Sequence, residues 1–324
     1  MNMNSNRADI LDWSDQGRIA PDKLREAFER AGVLPDAADW RRFLDRMLLF
    51  MGVILVAAGV IFFFAFNWHD LGRYAKFALV EALMVAGFAL SWRLGVDGIA
   101  GKAALLFVSL MTGALLALVG QTYQTGADTW ELFAVWAAAI LPWVLVARFP
   151  PLWVIWLALV NAAVSLYFLT FGFLWGMLFA PEKLIWLLFG LNTVALVIWE
   201  GLAAAGLEWL RERWSVRILA TASGGLITAL GVGDIVDWRT SSHWGAPVWC
   251  AWIVAAYVMY RHRVKDVYVL AAGVLSFIVM ATVLLAKGLN MHDAGAFLLI
   301  GMVVIGLSAG GGYWLKQVAT GDEA

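Results

Sequence analysis

Glu81 is a carboxyl set deep in an apolar run, seven residues past Tyr74. At mid-membrane such a group costs roughly 2.5–3.5 kcal/mol on insertion scales, so it must face a bundle, line a cavity or pair with another group. Lys76 lies five positions away, about 140° around a helix, which makes it a poor partner on the same helix. Two readings stand side by side: a residue that couples transport to protons or substrate, or a carboxyl held by a neighbouring helix. A second polar concentration is Gln121, Tyr123, Gln124, Asp128 and Trp130, with no positive charge among them. It reads as a ligand or partner contact, or as a tight turn whose aromatics anchor at the membrane interface. His69, His243 and His292 are the third candidate set, and two of them precede an aspartate, in His69-Asp70 and His292-Asp293. Imidazole with carboxylate suits zinc, yet no pair has the i, i+4 spacing of a helical site, so three loops would have to converge. Asn161 and Asn192 lie inside apolar runs and read as interhelical glue.

The elements that position these residues are membrane helices. Of 324 residues 62% are hydrophobic and only 15% charged, where a soluble domain carries about 25% charged. A spanning helix needs about 20 mostly apolar residues. Runs of that kind fall at 47–66, 74–94, 102–120, 131–147, 152–170, 184–204, 217–236, 246–260, 267–286 and 295–315. The fold class is therefore an all-α, polytopic transmembrane bundle of about ten spans, the fourth and eighth short. Glycine pairs Gly172/Gly176 and Gly306/Gly310, and the cluster Gly224, Gly225, Gly231 and Gly233, read as close helix approach. The alternative for the cluster is an unwound helix beside a site. The lone Cys250 has no partner for a disulfide within the chain.

Residues 1–46 hold eight Lys or Arg and nine Asp or Glu and read as a small helical head. Ser5 or Asn6 is placed to cap a first helix and Gly17 to end it, Pro21 to open a second and Gly32 to stop it, Asp36 to open a third. Leu24, Ala27, Phe28 and Ala31, then Trp40, Phe43, Leu44 and Met47, fall at i, i+3, i+4, i+7 and make apolar stripes. They close a small core or lie on the membrane surface. The balanced charge of this head excludes a phosphate-binding basic face, and with it nucleic acid as a partner. The expected organisation is a head over 1–46, a membrane region over 47–315 and a short tail over 316–324. With the head in the cytoplasm, 13 Lys or Arg near span ends fall on the cytoplasmic side and 5 on the other. The positive-inside rule then expects both termini in the cytoplasm and an inner-membrane, multi-pass protein.

Two stretches go beyond hydropathy. One is Leu11-Asp12-Trp13, Gly17-Arg18-Ile19 and an apolar run ending Phe66-Asn67-Trp68. The other runs from Gly120 through Gln121, Tyr123, Gln124 and Asp128 to Leu132-Phe133, Trp136 and Pro142-Trp143. Together they resemble the bacterial predicted membrane protein family called domain of unknown function 2157, most strongly over residues 8–145. The resemblance implies a soluble N-terminal segment before the spans and hints at a second, smaller membrane protein as partner. It implies no catalytic residues, because the family has none defined.

No phosphate-binding loop, HExxH, GxSxG or Cys/His cluster occurs, so an enzyme is the least supported class and no cofactor is expected. The leading expectation is a non-enzymatic envelope component, held in the lipid bilayer and working with a partner subunit. The alternative is a secondary transporter or permease in which Glu81 carries the coupling. A transporter would place Glu81 in a midplane cavity, whereas a scaffold would seal it by packing.

Overall fold

The computed structural model describes residues 3–66, 71–172, 181–236, 243–289 and 294–320, and every regular element among them is helical. In the head, α1 (Met3–Asp15) starts ahead of both expected caps, Ser5 and Asn6. It ends where expected. Gly17 adopts φ +70, its N–H donates to Ser14 O and the Arg18 N–H to Trp13 O, a Schellman closure. Pro21 opens a short 3-10 turn that leads into α2 (Leu24–Arg30), which Gly32 ends in the same way at φ +68. Asp36 and Asp39 then cap each other's backbone N–H reciprocally, at 2.7 and 3.2 Å, and start α3.

That third helix runs unbroken over Ala37–Phe66, about 45 Å at 1.5 Å per residue, so the last helix of the head and the first span are one rod. Its stripe of Trp40, Phe43, Leu44 and Met47 is exposed and closes no core. Beyond it follow α4 (Arg73–Leu94), α5 (Ile99–Tyr123), α6 (Thr129–Ala147), α7 (Pro150–Gly172), α8 (Pro181–Ala204), α9 (Arg213–Val236), α10 (Gly245–Val258), α11 (Val267–Gly288) and α12 (Ala294–Thr320). Among the described residues nine helices are long and apolar enough to cross a membrane; α10 is the exception. At 14 residues it rises about 21 Å, against a hydrocarbon core of about 30 Å. A π turn over Met259–Arg263 extends it. The eighth apolar run is thus short, as expected, while the fourth is a full 19-residue helix because it starts at Thr129.

The chain forms two compact units, residues 1–118 and 119–324. In the first, Phe64, Val80 and Leu118 form a small core with Val60, Phe77 and Met84 around it. Gly87 lets α4 lie against α5: a Cβ there would stand 2.6 Å from Val108 Cγ2. Buried hydroxyls on α5 return to their own helix, Ser109 to Leu105 O and Thr112 to Val108 O.

In the second unit α9 is central, between α8, α10 and α11. One end holds Trp199, Leu219, Tyr260 and Leu270; the other holds Phe189, Ile227, Trp249 and Met280. A polar seam links the helices. Asn192 donates to Asn161 Oδ1 at 2.7 Å between α8 and α7, which makes these two residues interhelical glue as expected. Thr193 meets Ser223 at 2.6 Å, and Ser223 also accepts from the Trp252 indole. Thr228 meets Ser276 at 2.6 Å, and Ser276 accepts from the Trp249 indole. In lipid, where apolar surface gives helices no preference for one another, such bonds and close packing fix who neighbours whom.

The glycines divide accordingly. In α9 a Cβ on Gly224 would stand 2.7 Å from the Trp252 ring and one on Gly231 2.8 Å from Met280, so both serve close approach. The helix is continuous through them, and the unwound alternative is overturned. In α12 the motif misleads. Gly306 and Gly310 face open space, and it is Gly311 that meets Val274, with 2.5 Å left for a Cβ. Gly176 lies outside the described residues.

Candidate functional site

Glu81 sits eight residues into α4, about 12 Å from its start and close to its middle. It is exposed, and among the described residues it has no hydrogen bond or ion pair. It lines none of the three described cavities. The carboxyl is therefore outside these three cavities and is not sealed by packing. Lys76 is buried and turned away from it, as the 140° offset requires.

The surface around Glu81 is ordered. Tyr74, Ala78, Glu81, Val85, Phe88 and Trp92 follow one another at steps of four, three, four, three and four residues, and all six are exposed. That is the heptad spacing with which one helix presents knobs to another. Tyr74 and Trp92, 74% and 87% exposed, stand at the two ends where interfacial aromatics belong. Glu81 is the single charged group in the stripe.

The Gln121–Trp130 set does not converge. Gln121 and Tyr123 are exposed in the last turn of α5, and Gln124 and Gly126 carry the chain round at φ +45 and +67. Asp128 takes the N-cap position of α6, where its carbonyl, not its side chain, accepts from Glu131 N–H. Trp130 turns the other way, into the α6–α7 pair. Its ring meets Tyr167 edge-on at 5.0 Å, and its indole N–H is buried with no acceptor among the described residues. The sequence therefore joined a turn and an inward-facing indole that have different surroundings.

His69 and His292 lie outside the described residues. His243 is exposed just before α10. No group of three His, Cys, Asp or Glu that could hold a metal occurs among the described residues.

One constellation had no place in the sequence reading. Arg213 and Arg217, one turn apart at the start of α9, share the buried carboxylate of Asp266 at 3.0 and 3.3 Å. Arg213 also holds Glu200, from the end of α8, at 2.9 Å. The guanidinium groups lie over Tyr260 and Tyr268, at 5.6 and 5.5 Å from the ring centres. Asp266 additionally caps α11 through Tyr268 N–H at 3.1 Å. Two cations meet two anions, so the cluster is neutral and ties α8, α9 and α11 at one end of the unit. Its signals were present: arginines at i, i+4, an aspartate just before an apolar run and a glutamate inside one. The positive-inside count treated both arginines as loop charges and took no account of their partners.

The fold and composition define a polytopic α-helical membrane protein. A family model described as "Predicted membrane protein (DUF2157)" matches residues 11–153, which meets the resemblance read over 8–145 and continues into α7. Neither a curated protein nor a solved structure matches the chain.

Proposed function

We propose that this protein is a non-enzymatic component of the bacterial inner membrane that works by binding a partner subunit's transmembrane helix along α4. The observation that carries the reading is Glu81, exposed at mid-span in the centre of a heptad-spaced stripe and without a partner among the described residues. Left to lipid, that carboxyl costs roughly 2.5–3.5 kcal/mol. A partner helix with a donor near its middle offsets this cost and sets register, as one polar residue does in a coiled-coil seam. The smaller membrane protein that the family resemblance implies would suit this role. A coupled transporter would instead need the carboxyl at a midplane cavity.

The test is a photo-crosslinking residue placed at Val85 in the membrane of the native host. The expected product is one discrete polypeptide adduct, which Glu81→Leu reduces at least fivefold while Glu81→Gln, which keeps hydrogen-bonding atoms, reduces it less. Adducts to lipid only, or to another segment of the same chain, would sink the proposal.

With α10 and its π-turn extension counted as a tenth crossing, the same reading puts both ends of the helical region on the cytoplasmic side, supported by the 13-to-5 division of Lys and Arg. Reporter fusions after Ala127 should be external and those after Arg263 and Thr320 cytoplasmic. An external reading after Thr320 would require an odd number of crossings.

A further inference from the structure

We infer that the cleft between α6 and α7 is a binding groove for one acyl chain of a phospholipid, with the chain's ester carbonyl accepting the Trp130 indole N–H. The cleft has a volume of about 550 Å³ and is lined almost wholly by apolar groups. Its floor is made by small residues, Ala134, Ala137 and Ala163, and its rim includes the exposed Ala138 and Leu187. The alanines let the two helices approach closely and leave a furrow along the outer side of their contact. From Trp130 to Leu141, and from Trp156 to Phe168, the lining extends about 16–18 Å along the helix axes.

Those dimensions choose the occupant. A second helix, about 10–12 Å across with its side chains, is too wide to enter the furrow and would rest on its rim. A single hydrocarbon chain is thin enough. The polar lining points the same way. Trp130 and Trp156 both line the groove, and the Trp156 indole already donates to Ala137 O at 3.1 Å. The one on Trp130 is buried and has no acceptor among the described residues, and a buried donor left unpaired is destabilising by more than a bond returns. Apolar sites with one placed polar group fix their ligands by it. Trp130 is the second residue of α6, so its N–H lies at the end of the span, near the boundary of headgroups and acyl chains. An ester carbonyl of a diacyl phospholipid lies at that boundary and brings an unused acceptor, while the chain below it runs along the alanines toward the middle of the bilayer. The backbone carbonyls of a transmembrane helix are already engaged in their own helix.

The experiment places the full chain in vesicles of phosphatidylglycerol carrying a diazirine on one acyl chain. In parallel it uses vesicles doped with a diazirine-bearing free fatty acid. Labelled peptides are mapped after irradiation. Phospholipid label should concentrate in 130–141 and 156–168. Trp130→Phe keeps a ring and removes the N–H, and should lower that labelling about fivefold, the size of one neutral hydrogen bond. Ala138→Trp fills the groove from its exposed rim and should lower it more than tenfold. A melting midpoint close to wild type shows that each variant is folded. Label spread evenly over all helices would overturn the proposal, as would a groove labelled only by the free acid. So would unchanged labelling in either variant. None of these outcomes bears on the α4 stripe.

Discussion

Asp266→Ala should lower the stability of the protein by about 3–5 kcal/mol, the range seen when one member of a buried ion pair is removed. In detergent this should appear as a fall of roughly 6–12 °C or more in the melting midpoint. The effect is large because one carboxylate serves three donors. Arg213 and Arg217 lose their shared acceptor, and α11 loses the side-chain cap on Tyr268 N–H. Asp266 is also the most enclosed member, with its side chain 1% exposed against 26% for Arg213 and 44% for Arg217. Two comparisons separate charge from cap. Asp266→Asn keeps an acceptor for the cap and should recover part of the loss. Arg217→Met should be mild, since Arg217 reaches solvent and Arg213 still pairs with both acids. Arg213→Met strands Glu200 as well and should resemble Asp266→Ala. The double variant Arg213→Met with Asp266→Leu should lose less than the two single losses added, because the Arg213–Asp266 bond is then lost once and not twice, although Glu200 and Arg217 still lose their partners. A melting midpoint for Asp266→Ala within a degree of wild type would remove the clamp from the account of this fold.

Gly101→Ala should be the most damaging of the small-residue substitutions, at about 2 kcal/mol or more, in the upper part of what overpacking costs. A Cβ at Gly101 would stand 2.0 Å from Gly95 O and 2.8 Å from Gly95 C, both backbone atoms that no rotamer change can move. Gly95 is itself at φ +80 in the turn between α4 and α5, so the turn has little freedom to yield. The added methyl must therefore push the two helices apart at their joint. Gly310→Ala is the control. It belongs to a GxxxG pair, the pattern that ordinarily marks helix approach, yet nothing lies within 4 Å of the position where its Cβ would be. It should be neutral or slightly stabilising, since alanine is the better helix former by about 1 kcal/mol. Equal melting of the two variants would show that the α4–α5 turn adapts and that the short contact carries no cost.

Local chemistry made much of the architecture readable. Gly17 and Gly32 end their helices because a left-handed residue closes the last turn, and glycine reaches that conformation without strain. Asp36 starts α3 because a short acceptor satisfies free N–H groups three residues on. The apolar runs became helices because backbone groups have no water to turn to in lipid. For the same reason the short eighth run was recognisable from its length alone.

What depends on which faces meet was hidden. Periodicity does not distinguish Gly310, which faces open space, from Gly311, which meets Val274, because they are adjacent on one helix and only the neighbour's position separates them. Arg213, Glu200 and Asp266 come together across as many as 66 residues of chain, from Glu200 to Asp266. A count of loop charges sees each of them alone. Glu81 was conspicuous in the sequence for its cost in lipid, but its exposure at the centre of a heptad stripe could be seen only on the folded helix. Hydropathy and capping act within a few residues, so the chain by itself determined its helices, several of their ends and their membrane setting. The partners of each helix face depend on contacts between distant segments, and these the tertiary structure decided.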